Sequence, residues 1–384
     1  MVPVNPKVAF IHEWFDDLAG SEFVLKEMLK FFPNPDIYSL VDFNARPVDH
    51  WLSKYSIKTT WIQKLPFAKH YYKFLLPFYT HAVQQFDLSK YDIVISNSHC
   101  VAKNVLTGPD QIHICMCYSP MRYAYDLRDV YFPSNKSFFN RLSRYLRDYF
   151  LSKIRVVDTV CSNSVDHFIA ISTFIQRRIT KYYSRDSVVI HCPVDTDKFS
   201  IENTTYSGEY YISVCRLVRY KNVQFFAEAF SKDPTKKLKI VGSGEMLDEI
   251  STIANNCPNI EVMGYVDDAQ LIDLVANSKA YLFGSIEDFG IAPIEAQAAG
   301  KPVIAYGKGG ALDTIKGLDS DNPTGVFFHD LRPESILSAI DEFESNEHRI
   351  TADNCIFNAH SFSISRFDNE FSSFLDSISP NILS

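Results

Sequence analysis

The sequence lacks several patterns that would assign it to common protein classes. It has no CxxC pair, no His/Cys spacing typical of a metal site, and no apolar run near the ~18 residues that span a bilayer. Its eight cysteines are therefore expected to be free thiols, and with no signal peptide they fit a reducing cytoplasm. A net charge of −8 argues against nucleic acid as a partner.

What the sequence does contain is a repeated alternation of strand and helix patterns. Short apolar runs form one series from 7–12 to 187–192 and a second from 210–217 to 325–329, with the polar, turn-rich stretch 192–210 between them. Continuous apolar runs are typical of strands covered on both faces, so we expect parallel sheets. The 384 residues predict an α/β fold of two doubly wound, Rossmann-like domains that hold ligands at the C-terminal strand ends, facing a central cleft.

Residues 284–310, GSIEDFGIAPIEAQAAGKPVIAYGKGG, carry the strongest functional signal. The run APIEAQAA predicts a short helix with Pro293 in its first turn and Gly300 at its C-terminal cap. Glu287 would lie in the preceding loop and Glu295 in the first turn, near free N–H groups that favour a bound anion. The two carboxylates can accept hydrogen bonds from hydroxyls on either side of a phosphate. Ribose and a hexose would fit, so the arrangement suggests a nucleotide-sugar.

Two cations and three other residues of the second series could complete such a site. Arg216 and Lys221, in VCRLVRYKN, could be solvated surface, but in the same domain as the two glutamates they favour diphosphate binding. Gly242 follows a strand and predicts either a tight turn or a ligand contact. Tyr265 and Val266, in GYVDD, follow another strand, where their backbone either reads a base edge or only ends the strand.

The first series offers candidates for a second substrate. Gly20 precedes a helix expected to begin near residue 22, which makes an anion-facing helix start, although the stretch lacks the GxGxxG of a dinucleotide site. Asp16 and Asp17 either contact acceptor hydroxyls or form a solvated turn. His99 is either structural or part of a cleft, and Arg122 follows a strand where a cation would face that cleft.

Two segments, 61–83 and 136–158, mix aromatic and basic residues in an otherwise acidic protein. They predict either contacts with an anionic membrane surface or core-facing helices with a wet basic face. The DxD sequence at 319–321 lies in a loop rich in turn-forming residues, and we interpret it as a surface turn rather than a metal site.

The chain resembles family 4 retaining glycosyltransferases of the GT-B fold. The stretches that carry the resemblance include HEWFDDLAGSEFVL, SNSHCVAKN, CYSPMRYAYD, VCRLVRYKN, GYVDD and EDFGIAPIEAQAAGKPVIAYGKGGALDT. It covers nearly the whole chain, and Glu–seven residues–Glu is its most specific motif. The chain is most similar to bacterial O-antigen and polysaccharide mannosyltransferases that use GDP-mannose.

The resemblance implies a role for each matching position. Arg216 and Lys221 match the basic pair on the donor diphosphate, Glu295 the glutamate on the ribose, and Glu287 the glutamate at the donor hexose. Gly20 matches the glycine of an N-terminal loop beside the diphosphate. The hexose pocket would be shaped by Phe289, Gly290 and Ile291, and His99 is retained as a catalytic candidate.

The chain departs from the family pattern at three places. Ala19-Gly20-Ser21 stands where a Gly-Gly pair is common, and Tyr118 stands where relatives often carry a cleft histidine. Asn222 stands where a basic residue or glycine is usual.

The resemblance also implies a domain plan and an activity. Residues 1–195 would bind the acceptor, 208–360 the nucleotide-sugar donor, and a helix in 361–384 would pack back on the N-terminal domain. The expected reaction transfers mannose from GDP-mannose, without a metal, to an undecaprenyl-diphosphate-linked or other lipid-linked saccharide in O-antigen or related polysaccharide biosynthesis. Such an enzyme would be cytoplasmic, peripherally bound to the inner face of the cytoplasmic membrane, and could associate with polysaccharide assembly proteins.

Three alternatives remain at this point. The donor could be another nucleotide-hexose, or the protein could be a sugar-nucleotide 2-epimerase of similar fold. It could also be a non-catalytic nucleotide-sugar-binding subunit.

Overall fold

The computed structural model describes residues 5–16, 20–128, 138–200, 208–379 and 382, with side chains omitted at 138–143. The chain divides into two compact units, which consist of residues 1–191 with 367–384 and of residues 192–366. The boundary thus falls at the start of the stretch that the sequence marks as a linker. Among the described residues, no helix is long and apolar enough to cross a bilayer.

The first unit is built on a seven-stranded parallel sheet with the order β3-β2-β1-β4-β5-β6-β7. The order reverses between β1 and β4, so the loops after these two strands leave toward opposite faces and open a crevice at the sheet edge. The strands are β1 Val8–Phe15, β2 Asp36–Asp42, β3 Ile57–Thr59, β4 Ile93–Ser98, β5 Ile112–Cys117, β6 His167–Ala170 and β7 Val188–Val189.

Helices of very different length connect these strands. The short helices between β3 and β4 contain aromatic residues and one proline, Pro77, which limits regular helix there. The α-helices of this part of the chain are α1 Gly20–Leu29, α2 Ala68–Tyr71, α3 Tyr79–Val83, α4 Phe138–Cys161 and α5 Thr173–Tyr183.

The second unit contains a six-stranded parallel sheet with the order β10-β9-β8-β11-β12-β13, which reverses between β8 and β11. Its strands are β8 Tyr210–Val214, β9 Lys237–Val241, β10 Ile260–Gly264, β11 Ala280–Phe283, β12 Val303–Tyr306 and β13 Gly325–Phe328. Its helices are α6 Val223–Lys232, α7 Leu247–Ala254, α8 Asp268–Ala276, α9 Ile291–Ala298, α10 Ala311–Thr314, α11 Pro333–Asn346 and α12 Ala352–His360.

The strands agree with the apolar runs of the sequence, and both sheets are parallel as predicted. The sequence analysis missed β3, which has only three residues, all of them half-buried. A strand that short leaves no periodic pattern of its own, and its pairing with β2 decides its conformation.

The C-terminal helix α13, Ile364–Ile378, is amphipathic, as the sequence predicted. Its residues from 367 onward belong to the first unit. There the rings of Phe371 and Phe31 meet edge to face with centroids 5.3 Å apart. Burial of Phe367, Phe371, Phe374 and Leu375 along one helix face holds this segment against the first unit.

A buried ion pair fastens α4 to the sheet of the first unit. Lys103 and Asp158 are both inaccessible to solvent, and the Lys103 ammonium donates to the Asp158 carboxylate. The other carboxylate oxygen accepts from the hydroxyls of Tyr183 at 2.7 Å and Tyr125 at 3.0 Å. Burial by itself would lower the pKa of Lys103, but attraction to Asp158 outweighs it and raises that pKa.

We predict that Lys103→Ala lowers the free energy of unfolding of the first unit by about 3–5 kcal/mol, because it leaves the Asp158 charge buried without its counter-ion. Urea denaturation followed by hydrogen exchange of the β4 and β5 amides measures this. Lys54→Ala, at an exposed lysine of the same unit, is the control and should change stability by less than about 0.5 kcal/mol. Equal effects of the two substitutions would contradict the structural role of the pair.

Candidate functional site

The candidate residues follow strands that border the reversal point of each sheet. Asp16 follows β1 and His99 follows β4 in the first unit. Arg216 follows β8 and Glu287 follows β11 in the second unit. These are the positions at which parallel α/β sheets bind ligands, since the flanking loops diverge there.

In the second unit, four predicted donor-binding residues line one cavity. Arg216, Gly242, Tyr265 and Val266 surround a space of about 280 Å³. Tyr265 is 82% exposed, and the Arg216 guanidinium has no carboxylate partner among the residues described. A planar base or sugar can therefore lie against the tyrosine while the guanidinium binds an anion.

Gly242 is required by the backbone at this cavity. Its φ is +137°, and a Cβ on it would lie 1.9 Å from the carbonyl oxygen of Cys215. Its N–H donates to the Gly264 carbonyl at 2.7 Å. Gly242 therefore makes a close turn, and it also lines the cavity.

Lys221 and Glu287 meet as an ion pair in which the ammonium donates to the carboxylate. The same carboxylate oxygen accepts from the Ser285 hydroxyl at 3.0 Å. Asn222 joins the two loops, since its side-chain amide donates to the Gly284 carbonyl at 2.8 Å. Its backbone is left-handed, with φ 61°, a conformation that asparagine adopts more readily than most residues.

The glycines after β12 support the Glu287 loop. Gly310 N–H donates to the Glu287 carbonyl at 2.8 Å. At Gly309, where φ is 72°, a Cβ would approach that same carbonyl to 2.5 Å. The close contact between the two loops therefore excludes side chains, and the Gly310 N–H is already used within the protein.

One prediction about the two glutamates is wrong. The helix α9 begins at Ile291 and has Gly290, with φ 93°, at its N-cap, so Glu295 is its fifth residue and lies beyond the first turn. Only the first residues of a helix have free N–H groups, so Glu295 does not border an anion site of that kind. Phe289 is buried and packs edge to face on Phe362 at 5.8 Å.

Glu295 has an unusual charge environment. Burial raises the pKa of Glu295 to about 7, opposed by Lys198 and reinforced by Asp268 and Asp195. Lys198 also contacts a residue of the cavity that Arg216 lines. Its ammonium lies 2.8 Å from the carboxylate of Asp268, which is one of the lining residues. Sequence reasoning missed Lys198 and Asp268, although Asp268 stands in the quoted stretch GYVDD, because only folding makes them neighbours.

In the first unit, the residue that organises the loop after β4 is Glu13, which the sequence analysis did not select. It is fully buried, and its carboxylate accepts from the backbone N–H groups of residues 99–102 at 2.6–3.0 Å and from the Ser98 hydroxyl at 2.9 Å. Five donors balance the desolvated charge. Its position within the largely apolar strand β1 is the sequence signal that could have identified Glu13.

His99 lies on this loop against an aromatic side chain. Its ring meets Trp14 edge to face, with centroids 4.7 Å apart. Burial lowers the pKa of His99, opposed by Glu13, and nearby Arg122 lowers it further. The imidazole is therefore neutral near pH 7.

Asp16 belongs to a set of contacts rather than to a solvated turn. Its carboxylate accepts from the Tyr72 hydroxyl at 2.8 Å and lies 3.3 Å from the Lys73 ammonium. Gly20 is the first residue of α1. Asp17 and Ala19 lie outside the described residues.

Tyr118, one of the departures from the family pattern, belongs to a buried hydrogen-bond network. Its hydroxyl donates to the Asn97 side-chain oxygen at 2.5 Å, and the Asn97 amide donates to His12 Nδ1 at 2.9 Å. His12 Nε2 in turn donates to Glu22 at 3.0 Å. The network fixes the tautomer of His12. The sequence analysis did not select His12.

The two aromatic-basic segments differ in how much is described. In 61–83, Tyr72 and Tyr79 are buried, whereas Phe67, Tyr71, Phe74 and Phe78 are exposed, Phe74 by 82%. In 136–158 the side chains are described only from 144, and Tyr145 is 78% exposed. Residues 319–321 form a turn, as interpreted, and no group of three or more metal-binding side chains occurs in the described part of the chain.

Comparison with known proteins gives a family match for one part of the chain. Residues 195–362 match the model described as "Glycosyl transferases group 1". It makes up nearly all of the second unit.

Curated relatives match at low identity. The chain is 30% identical over 140 residues to glycogen synthase of Nitrosospira multiformis, covering 34% of this chain and 28% of that protein. It is 24% identical over 217 residues to a GDP-mannose-dependent phosphatidylinositol monomannoside mannosyltransferase of Mycolicibacterium smegmatis, covering 50% and 56%. It is 30% identical over 241 residues to the alpha-1,3/1,6-mannosyltransferase ALG2 of Saccharomyces cerevisiae, covering 49% and 47%. The chain thus spans between 28% and 56% of the length of these relatives.

Solved structures match over almost the whole chain. Anabaena Alr3699/HepE in complex with UDP has a TM-score of 0.68 at 15% identity, covering 97% of this chain and 100% of that one. Sucrose-phosphate synthase of Thermosynechococcus elongatus has a TM-score of 0.71 at 14% identity, covering 97% and 99%. The predicted GT-B fold class, with two Rossmann-like units, is confirmed.

We predict that Glu295→Gln stabilises the second unit at pH 8 by on the order of 3 kcal/mol, and that the gain disappears near pH 5. The folded state raises the pKa of Glu295 from 4.5 to about 7, so the unfolded chain releases a proton that the folded chain keeps. Stability of the wild type therefore falls as pH rises from about 4.5 to 7. Urea denaturation at pH 5, 6.5 and 8 measures the difference.

Glu344→Gln provides a control of opposite sign in the same unit. Burial would raise the pKa of Glu344, but hydrogen bonds from Lys236, Tyr211 and Lys279 lower it to about 2. The Gln variant should therefore be less stable than the wild type at pH 8. A Glu295→Gln effect that is independent of pH would show that burial of the charge is not its cause.

Proposed function

We propose that the protein is a retaining glycosyltransferase that transfers mannose from GDP-mannose to a lipid-linked saccharide. Two observations carry this proposal. Arg216 lines a cavity of about 280 Å³, and the Lys221–Glu287 ion pair lies on the loops after the strands at the reversal point of the second sheet. The match of residues 195–362 to the group 1 glycosyl transferase model supports it.

In this proposal the chemistry is charge stabilisation on the leaving group. The bond between the donor sugar C1 and the diphosphate oxygen breaks while C1 bonds to the acceptor hydroxyl on the same face. The acceptor proton passes to the departing phosphate, so no separate protein base is required. Arg216 and Lys221 would stabilise the developing negative charge, which lowers the barrier without a metal ion.

Glu287 would bind the donor hexose and hold Lys221 until the diphosphate arrives. The Lys221 ammonium has three donors and uses one on Glu287, so it can also bind a phosphate oxygen. Glu295 would accept from the ribose hydroxyls when it is ionised. The loop glycines Gly290 and Gly309 would keep the backbone close to the sugar.

The identity of the donor, with mannose as its sugar and guanosine as its nucleoside, is the more specific part of the proposal. Two of the reported relatives are mannosyltransferases, and one of them is named as GDP-mannose-dependent. The similarity to a glycogen synthase and to a structure in complex with UDP favours a different donor. Another nucleotide-hexose is therefore the competing donor. A panel of GDP- and UDP-sugars, with products analysed by mass spectrometry, separates them.

The acceptor side of the proposal is the first unit, with Asp16, His99 and Arg122 near the acceptor hydroxyl. The exposed rings of 61–83 would lie at headgroup depth on the inner face of the cytoplasmic membrane, with its lysines on anionic lipid. The acceptor would be a saccharide on undecaprenyl diphosphate or a similar lipid in O-antigen or related polysaccharide biosynthesis. Other assembly proteins could bind there.

Two other activities fit a nucleotide-sugar site. A 2-epimerase would convert the donor sugar with no acceptor present, so incubation of donor with enzyme alone tests it. A non-catalytic binding subunit would bind the donor without turnover, whereas the Arg216, Lys221 and Glu287 set favours catalysis.

We predict that Arg216→Ala and Lys221→Ala each lower transfer by ~10²-fold or more, the scale for losing one electrostatic donor at a transition state. Turnover of GDP-mannose with lipid-linked acceptors, measured with and without EDTA, tests both the assignment and the metal-independence. Lys237→Ala, at an exposed lysine of the same unit, should leave turnover unchanged. Wild-type turnover in either test variant would contradict the assignment.

We also predict that replacing Lys64, Lys69 and Lys73 by Ala weakens binding to anionic vesicles by about a hundredfold, at ~1 kcal/mol for each lysine. Liposome flotation measures it. Alanine at three exposed lysines elsewhere, Lys54, Lys181 and Lys237, is the matched control. If both triple variants float equally well, this segment does not attach the protein to membranes.

A further inference from the structure

The first unit carries three kinds of surface in a fixed order. The first is the set of exposed rings Phe67, Phe74 and Phe78. Next to Phe74 in the same turn is Lys73, and the Lys73 ammonium lies 3.3 Å from the Asp16 carboxylate. Lys73 thus stands next to an exposed ring in the sequence and next to a hydroxyl-accepting carboxylate in space.

Lys73 is well placed to exchange partners. Its side chain is 71% exposed, so its pairing with Asp16 is a weak surface ion pair that another anion can replace. The ammonium has three N–H donors, and it lies 5.5 Å from the centre of the Tyr72 ring, which limits where it can point. An anion that binds the Lys73 ammonium therefore competes with Asp16 for it.

Asp16 is held in place without Lys73. The buried Tyr72 donates its hydroxyl to the same carboxylate oxygen at 2.8 Å, and the Asp16 backbone carbonyl accepts from Asn44 at 3.0 Å. Tyr72 is itself packed edge to face on Trp14, whose ring also contacts His99. Release of Lys73 would leave the carboxylate in position with one more lone pair available for a hydroxyl.

We propose that Lys73 binds the diphosphate of a lipid-linked acceptor, with the lipid chain on Phe67, Phe74 and Phe78 and the saccharide next to Asp16. This inference rests on the proposed function, because it takes the acceptor to be a lipid diphosphate saccharide. Such an acceptor has lipid, diphosphate and sugar in the same order as the three surfaces. The diphosphate replaces Asp16 as the ion-pair partner of Lys73. The Asp16 carboxylate then accepts a hydrogen bond from a hydroxyl of the sugar.

Binding of farnesyl diphosphate, a short lipid diphosphate, to the full chain tests the proposal. The probe is presented in neutral phosphatidylcholine vesicles, with saturating guanosine diphosphate to fill the donor site. We expect Lys73→Ala to weaken binding about tenfold, the effect of one charge-assisted hydrogen bond. Asp16→Asn should tighten binding several-fold, because it removes the competing carboxylate. Lys54→Ala, at an exposed lysine outside the segment, should bind like the wild type.

Two further probes separate the lipid from the phosphate. Phe74→Ser should weaken binding of farnesyl diphosphate and leave inorganic diphosphate unaffected. Vesicles of phosphatidylglycerol without farnesyl diphosphate show whether Lys73 simply binds bulk anionic lipid. Lys73→Ala and Lys69→Ala should weaken binding to these vesicles equally, by about fivefold or ~1 kcal/mol each, whereas only Lys73→Ala should weaken binding of farnesyl diphosphate in neutral vesicles. Equal loss of farnesyl diphosphate binding by the two variants would overturn the proposal, as would weaker or unchanged binding of farnesyl diphosphate by Asp16→Asn.

The outcomes also distinguish this inference from the proposed function. If guanosine diphosphate fails to bind while the Lys73 and Asp16 variants behave as expected, the donor assignment is wrong and the lipid diphosphate site stands. If the nucleotide binds and mannose is transferred while Lys73→Ala binds farnesyl diphosphate normally, only the present inference is wrong.

Discussion

The candidate site depends on the reversal of strand order in each parallel sheet. Between β1 and β4, and again between β8 and β11, neighbouring strands send their following loops to opposite faces. The loops cannot cover the strand ends there, and a crevice remains into which side chains can project. Asp16, His99, Arg216 and Glu287 all follow these strands, so the topology places the candidate chemistry before any side-chain contact is considered.

Charges near these crevices are held in two different ways. Glu13 and the Lys103–Asp158 pair are buried and fully hydrogen-bonded, and they fix the backbone around them. Arg216 and Lys73 are exposed and weakly partnered, so a phosphate can approach them without first removing a strong interaction. Rigid loops that present available cations are what recognition of a diphosphate requires, because binding then costs little ordering entropy.

Much of this organisation could be predicted from the sequence, although not all of it. Apolar runs located every strand except the three-residue β3. Four residues that the sequence analysis selected separately, Arg216, Gly242, Tyr265 and Val266, line one cavity. The position of Glu295 was predicted wrongly, because helix α9 starts one residue earlier than the pattern suggested. Lys198 and Glu13 were missed, since their partners lie far away in sequence.

By itself, the sequence determined the parallel architecture and the identity of the groups able to bind a phosphate or a hydroxyl. Periodicity and residue chemistry are local properties, and the chain expresses them wherever it folds. Only the tertiary structure decided which charges are compensated, such as Glu13 by four backbone N–H groups, and which are available, such as Arg216. Burial and pairing shift with ångström-scale distances between residues that are distant in the chain, and no local pattern records those distances.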